Sequence, residues 1–140
     1  MIRNSIGSKI FRNLFADIDG VEIDVVGNGD KSCALFVSSV LYINKMIGDI
    51  HATVLSTTKD LQANGWTEIN TPREGAILEW ESLIFDDGSS HSHLGFYIGN
   101  EQAISNGSNI SDGVPIEHHF TYNNTRKIIR IWWHDKLEGL

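Results

Sequence analysis

Cysteine is nearly absent from this chain: Cys33 is the only thiol among 140 residues. A lone cysteine excludes an intramolecular disulfide framework and suits a reducing compartment. Proline is almost as scarce, with two residues, and no long Ser/Gly linker interrupts the sequence. One domain over residues 1–140 is therefore expected. Positive charge is short as well. Eleven Lys and Arg against eighteen Asp and Glu give a formal charge of −7, which argues against nucleic acid or an anionic membrane as partner, since either needs clustered cations. Arg126-Lys127 and Arg130 read as a solvated strand edge. Long apolar runs are missing too. Met1 to Lys9 lacks a secretory h-region, and no segment approaches the length of a membrane span. The expectation is a protein that is cytoplasmic or exported without a signal peptide.

What is present is enough apolar material for a core: 41% of residues, with four Trp and six Phe. Its patterning predicts an amphipathic opening element over 6–15, a hairpin around 18–23, and a buried helix from Cys33 to about Ile47. A polar helix follows from about Ser56 to Ala63, capped by Ser56 or Thr57 and ended at Asn64-Gly65. Strands are expected at 66–69, 76–80, 82–85, in a hairpin through His93, and at 127–133. A Gly/Ser/Asn-rich loop is expected over 106–113. Helices first and strands after give an α+β fold, with N-terminal helices packed on a C-terminal antiparallel β-sheet.

Two features carry chemistry. Cys33 falls in the first turn of its helix, behind the loop signal Gly27-Asn28-Gly29-Asp30, with Asp30 or Ser32 available to cap the turn. There the helix dipole favours the thiolate, and unpaired N–H groups can hold an oxyanion. On the strand Ser90 to Gly99, His93, Gly95, Tyr97 and Gly99 share one face and Leu94, Phe96 and Ile98 the other. Gly95 leaves room for another element to approach the imidazole. Packing of the Cys33 helix on the His93 sheet would unite a nucleophile and a base. The return strand offers Ser105 or Asn106 as an orienter of His93, depending on loop length. Asn106 is favoured chemically, because its carbonyl oxygen accepts from an imidazole N–H.

Other readings of the same residues are plainer. Cys33 can be a small core hydrophobe. His91 and His93 have metal-ligand spacing, to which His118-His119 could add, but no supporting carboxylate or further cysteine is at hand, and no metal or cofactor is expected. His118, His119 and His134 read as surface or partly buried polar residues, and His51 as a loop residue. Trp80 reads as core. In Trp132-Trp133 one ring is expected in the core and the other along a cleft or partner surface.

The segments Ser32-Cys33-Ala34-Leu35-Phe36-Val37, Pro72-Arg73-Glu74-Gly75-Ala76-Ile77-Leu78 and His93-Leu94-Gly95-Phe96-Tyr97-Ile98-Gly99-Asn100 resemble the papain-like cysteine peptidases and amidases of the NlpC-type and CHAP cell-wall hydrolase kind, over about residues 25 to 110. The order Cys before His is that of the hydrolases and not of the permuted acyltransferase branch. The resemblance implies a papain-like (NlpC-type) fold and hydrolysis of a peptide or amide bond, in peptidoglycan stem peptides, through a thioester. Carried onto this chain, the pair is Cys33 and His93, and the ungapped comparison lands on Ser105 as the third residue; with Asn106 favoured on its chemistry, the expected site is Cys33, His93 and Asn106, with a peptide or peptidoglycan fragment as substrate. A catalytically silent binding module on the same fold is the alternative.

Overall fold

The computed structural model describes residues 1–107 and 112–139. The apolar run after Cys33 forms helix α1 (Cys33–Ile43), buried continuously from Cys33 to Leu41. It stops short of Ile47 because Lys45 takes a left-handed φ of 57°. The Met46 N–H then bonds back to the Leu41 carbonyl at 2.9 Å, a Schellman-type stop without the usual glycine. Helix α2 (Val54–Ala63) starts earlier than expected, since its cap is Thr53, whose side chain accepts from the Ser56 N–H at 3.2 Å. It ends at Asn64-Gly65 as the sequence indicates, with Gly65 at φ 85°.

Strands β1 (Phe15–Ile18) and β2 (Val21–Asp24) make a separate hairpin. Asp19 and Gly20 turn it with φ of 53° and 81°, the left-handed pair that matches strand twist. The larger antiparallel sheet has six strands: β3 (Thr67–Glu68), β4 (Ile77–Ile84), β5 (Ser90–Gly99), β6 (Gln102–Asn106), β7 (Pro115–His119) and β8 (Ile128–Trp133). Their order is β3-β8-β4-β5-β6-β7. The fold is thus α+β, helices before the main sheet.

Three expectations change. The two strands expected within 76–85 are one, β4, with a register shift between Trp80 and Leu83 opposite His93 and His91. Strand β7 was not foreseen; it begins with Pro115 at the edge of the sheet, where a missing N–H costs no ladder bond. The opening segment forms a 3-10 turn at Arg3–Ser5 and no regular element between there and Phe15, although Phe11 is buried in the core. Half of the expected loop over 106–113, residues 108–111, lies outside the described residues, and Asn106 itself ends β6.

Helix α1 packs Phe36, Val37, Val40 and Leu41 against Leu94, Phe96, Ile98, Ile104 and Trp132. Phe36 anchors that layer, its ring 5.1 Å from Phe11 and 5.5 Å from Phe96, both edge-on. Each such side chain contributes about 1.5–3 kcal/mol by leaving water. The opposite face of the sheet carries Leu78, Trp80 and Ala103, with Tyr97, Phe120 and Tyr122 over them. Trp132 and Trp133 are both buried. Trp133 does not line a cleft as one of the pair was expected to, because the Arg73 guanidinium covers its ring at 4.1 Å. Among the described residues no helix is long and apolar enough to cross a membrane.

Candidate active site

Cys33 opens α1 behind Ser32. The expected side-chain cap is not made: the Ser32 hydroxyl donates instead to the Gly29 carbonyl at 2.9 Å. The N–H groups of the first turn are therefore not consumed by a cap. Those of Cys33 and Ala34 bear on the Cys33 sulfur, and so does the N–H of Leu94 from strand β5.

His93 comes from the same strand, one residue before Leu94. The alternation read from the sequence holds, since Leu94, Phe96 and Ile98 lie in the layer under α1. His93 instead stacks at 5.2 Å on Trp80 of the opposite layer. Helix α1 packs on the sheet that holds His93, as expected, but on the face opposite the imidazole. The thiol and the imidazole line one shared cavity. That cavity measures about 600 Å3, and its walls include Cys33, His91, His93, Ser105, Tyr122 and Arg126.

The side chain that meets His93 differs from the one favoured by side-chain chemistry. A turn with left-handed Asn100 and Glu101 and a bulge after Tyr97 set Gly95 opposite Ser105. This register puts Ser105 on the His93 face. Its Oγ lies 3.0 Å from His93 Nε2. Asn106 points the other way, is fully buried, and among the described residues finds no hydrogen-bond partner for Oδ1 or Nδ2. Gly95 is what permits the close pairing: a Cβ there would come within 2.8 Å of the Ser105 Cβ and of the Ile104 carbonyl oxygen, and 3.0 Å of Trp80.

Three residues at the site escape sequence reasoning. Tyr122 places its hydroxyl 2.9 Å from His93 Nε2 and 2.8 Å from Ser105 Oγ. It does so from a run of three left-handed residues, Tyr122 to Asn124, a conformation costly for side-chain-bearing residues. His118, on the unforeseen strand β7, brings Nε2 to 2.7 Å from Ser105 Oγ and stacks on Tyr122 with ring centroids 4.0 Å apart. Arg126 is not a solvated edge cation. Its guanidinium donates to the main-chain carbonyls of Glu81, at 3.1 and 2.9 Å, and of His91, at 3.2 Å. These anchors fix a positive charge in the cavity wall. The one available signal was Tyr122-Asn123-Asn124, a turn-forming sequence just ahead of Arg126.

Burial governs the electrostatics. It pushes the Cys33 thiol above its ordinary value, although the surrounding N–H groups and Arg126 pull the other way. Burial also takes His93 well below the usual histidine range, helped by the positive Arg126 and by His118. His118 is lowered by burial despite its bond to the His119 carbonyl, and Tyr122 is raised to about 12 by burial. Burial thus works against both the imidazolium and the thiolate expected at a helix N-terminus, while the N–H groups and Arg126 favour the thiolate.

The remaining histidines have local roles. His51 Nε2 meets Asp60 at 2.6 Å, His91 Nε2 meets Ser89 at 2.8 Å, and His134 Nε2 meets the Asn64 carbonyl at 2.9 Å. Among the described residues no three His, Cys, Asp or Glu side chains gather closely enough to hold a metal ion. Comparison with family models, with curated proteins and with solved structures finds no match to this chain.

Proposed function

We propose that the protein is a cysteine peptidase or amidase of the papain-like, NlpC-type kind, acting on a peptide or amide bond. The observation that carries this reading is the shared cavity: a cysteine at a helix N-terminus and a histidine whose Nε2 is held by Ser105 and Tyr122 both line it. Neither of those bonds uses His93 Nδ1, so that nitrogen is left for proton transfer.

In this mechanism His93 removes the Cys33 proton as the sulfur attacks the substrate carbonyl, because burial disfavours a preformed ion pair. The Arg126 charge supports the sulfur as it becomes negative, and the first-turn N–H groups of α1 receive the oxyanion. The tetrahedral intermediate collapses to a thioester, and the leaving amine takes its proton from His93. Water, deprotonated by the same imidazole, then cleaves the thioester and regenerates the thiol. Leu55, Leu83 and Ile84 stand exposed on the cavity wall and would meet apolar parts of the substrate. A peptidoglycan stem peptide is the substrate class implied by the resemblance.

The test is cleavage of stem-peptide and unrelated peptide panels, together with iodoacetamide alkylation of Cys33. The proposal expects hydrolysis that disappears in Cys33→Ala, and alkylation that slows by about 100-fold or more in His93→Ala. The near-complete burial of Cys33, 7% exposed, favours the second reading of a catalytically silent binding module. That reading wins if no panel is cleaved and His93→Ala alkylates at the wild-type rate.

A further inference from the structure

We propose that His118 is a positioning residue that fixes the tautomer of His93 through the Ser105 hydroxyl. The proposal rests on the Cys33–His93 reading and adds a residue that no motif in that reading supplies. It follows from counting protons along one chain of hydrogen bonds.

His118 Nδ1 lies 2.8 Å from the His119 carbonyl oxygen. A carbonyl only accepts, so Nδ1 carries the proton. The neutral ring then offers a lone pair at Nε2, 2.7 Å from Ser105 Oγ. Ser105 has one proton and gives it to His118. Toward its other two neighbours, His93 Nε2 at 3.0 Å and the Tyr122 hydroxyl at 2.8 Å, Ser105 can only accept.

The Tyr122 hydroxyl also has one proton. If it pointed to His93 Nε2, the contacts of Ser105 with His93 and with Tyr122 would both lack a hydrogen and would be repulsive. If His93 carries its proton on Nε2, shared between Ser105 and Tyr122, and Tyr122 donates to Ser105, every contact in the cluster is satisfied. His93 therefore keeps its lone pair on Nδ1, the form a general base requires. Geometry keeps the chain from rearranging. His118 lies stacked on Tyr122 at an interplanar angle of 15°, and Trp80 packs against His93, His118 and Tyr122 at 5.2, 5.6 and 5.3 Å.

The decisive experiment is long-range 1H–15N correlation of the imidazole rings in full-length, 15N-histidine-labelled protein at pH 7.5, for wild type, His118→Phe and His118→Gln. The proposal expects the wild-type His93 ring protonated on Nε2. In His118→Phe, Ser105 regains its proton for His93, and the His93 signals move toward the Nδ1-protonated form. Cys33 alkylation should slow about tenfold in the same variant. His118→Gln, whose amide oxygen can accept from Ser105, should restore both readouts. A wild-type His93 protonated on Nδ1 overturns the proposal without any variant having to fold. So does a folded His118→Phe protein with unchanged tautomer and alkylation rate. Failure of the underlying reading looks different: alkylation is then insensitive to His93→Ala, whichever ring nitrogen carries the proton.

Discussion

The main-chain N–H of Leu94 favours the Cys33 thiolate electrostatically, while its neighbour His93 turns its ring to the face of the sheet opposite Leu94. Two consecutive residues of one strand thus serve the thiol and the imidazole, and strand β5 itself sets their relation. Side-chain flexibility contributes little, because both Cys33 and His93 are buried.

The pH dependence of turnover follows from this burial. His93 is held well below the ordinary histidine value of 6.5, and Cys33 is held above its value of 9.0. A base with a lowered pKa stays unprotonated further into the acid range. The acidic limb of kcat/KM should therefore fall below pH 6.5, with a flat region through neutrality. A pH-rate profile against a cleaved peptide checks this; an acidic limb at or above pH 6.5 contradicts it.

Stability should fall over the same acidic range. His93 and His118 are neutral in the folded protein below the pH at which they protonate when unfolded. The unfolded state then binds more protons, so stability is full above about pH 6.5 and declines as pH drops toward the folded values. Each group contributes a slope of about 1.4 kcal/mol per pH unit in that window. Urea titrations at intervals between pH 7 and 5 measure the slope, and His118→Phe should make it shallower.

Ser105→Ala and Asn106→Leu should behave oppositely. Losing the Ser105 hydroxyl removes an acceptor of His93 Nε2 and a donor to His118, so Cys33 alkylation and turnover should drop by about tenfold or more. Among the described residues Asn106 makes no side-chain hydrogen bond despite full burial. Replacing it with an apolar residue of similar size should leave turnover intact and stabilise the fold by about 1 kcal/mol. Parallel kinetics and denaturant midpoints report both outcomes.

Gly95→Ala should damage the site through packing. The added methyl group would approach Ser105 Cβ and the Ile104 carbonyl oxygen at 2.8 Å, which forces β5 and β6 apart. A loss of about 1–3 kcal/mol is expected, with slower Cys33 alkylation even under conditions where the variant is fully folded. Thermal melts and alkylation rates measured together separate the two effects.

The parts of the fold legible in the sequence are those where periodicity and burial agree. The run after Cys33 is apolar on every side and sits in the core as α1. The alternation from His93 to Ile98 assigns each side chain to the face it occupies. Asn106 shows where that logic stops: its face depends on a turn and a bulge, and alternation within one strand says nothing about a register between two. The end of α1 differs for a related reason, since Lys45 adopts a left-handed stop that glycine usually marks. Strand β7 begins with proline and ends in two histidines, so it carries no apolar alternation, and with it His118 went unseen. Arg126 looked like a surface cation because nothing local reveals that carbonyls from β4 and β5 converge on it.

Gly29 and Gly113 press backbone against backbone, closer than any side chain would allow, joining the loop that feeds α1 to the segment that leads into β7. Cys33 hangs from the first of these segments and His118 from the second. The clasp is made entirely of main chain, so it is indifferent to the identity of the surrounding side chains yet intolerant of a single added methyl group at either position. Related chains could therefore diversify freely along the cavity rim at Leu55, Leu83 and Ile84 and so change what they accept. The same architecture would hold glycine at 29 and 113 fixed, a sparse signature for recognising distant members where overall sequence likeness has faded.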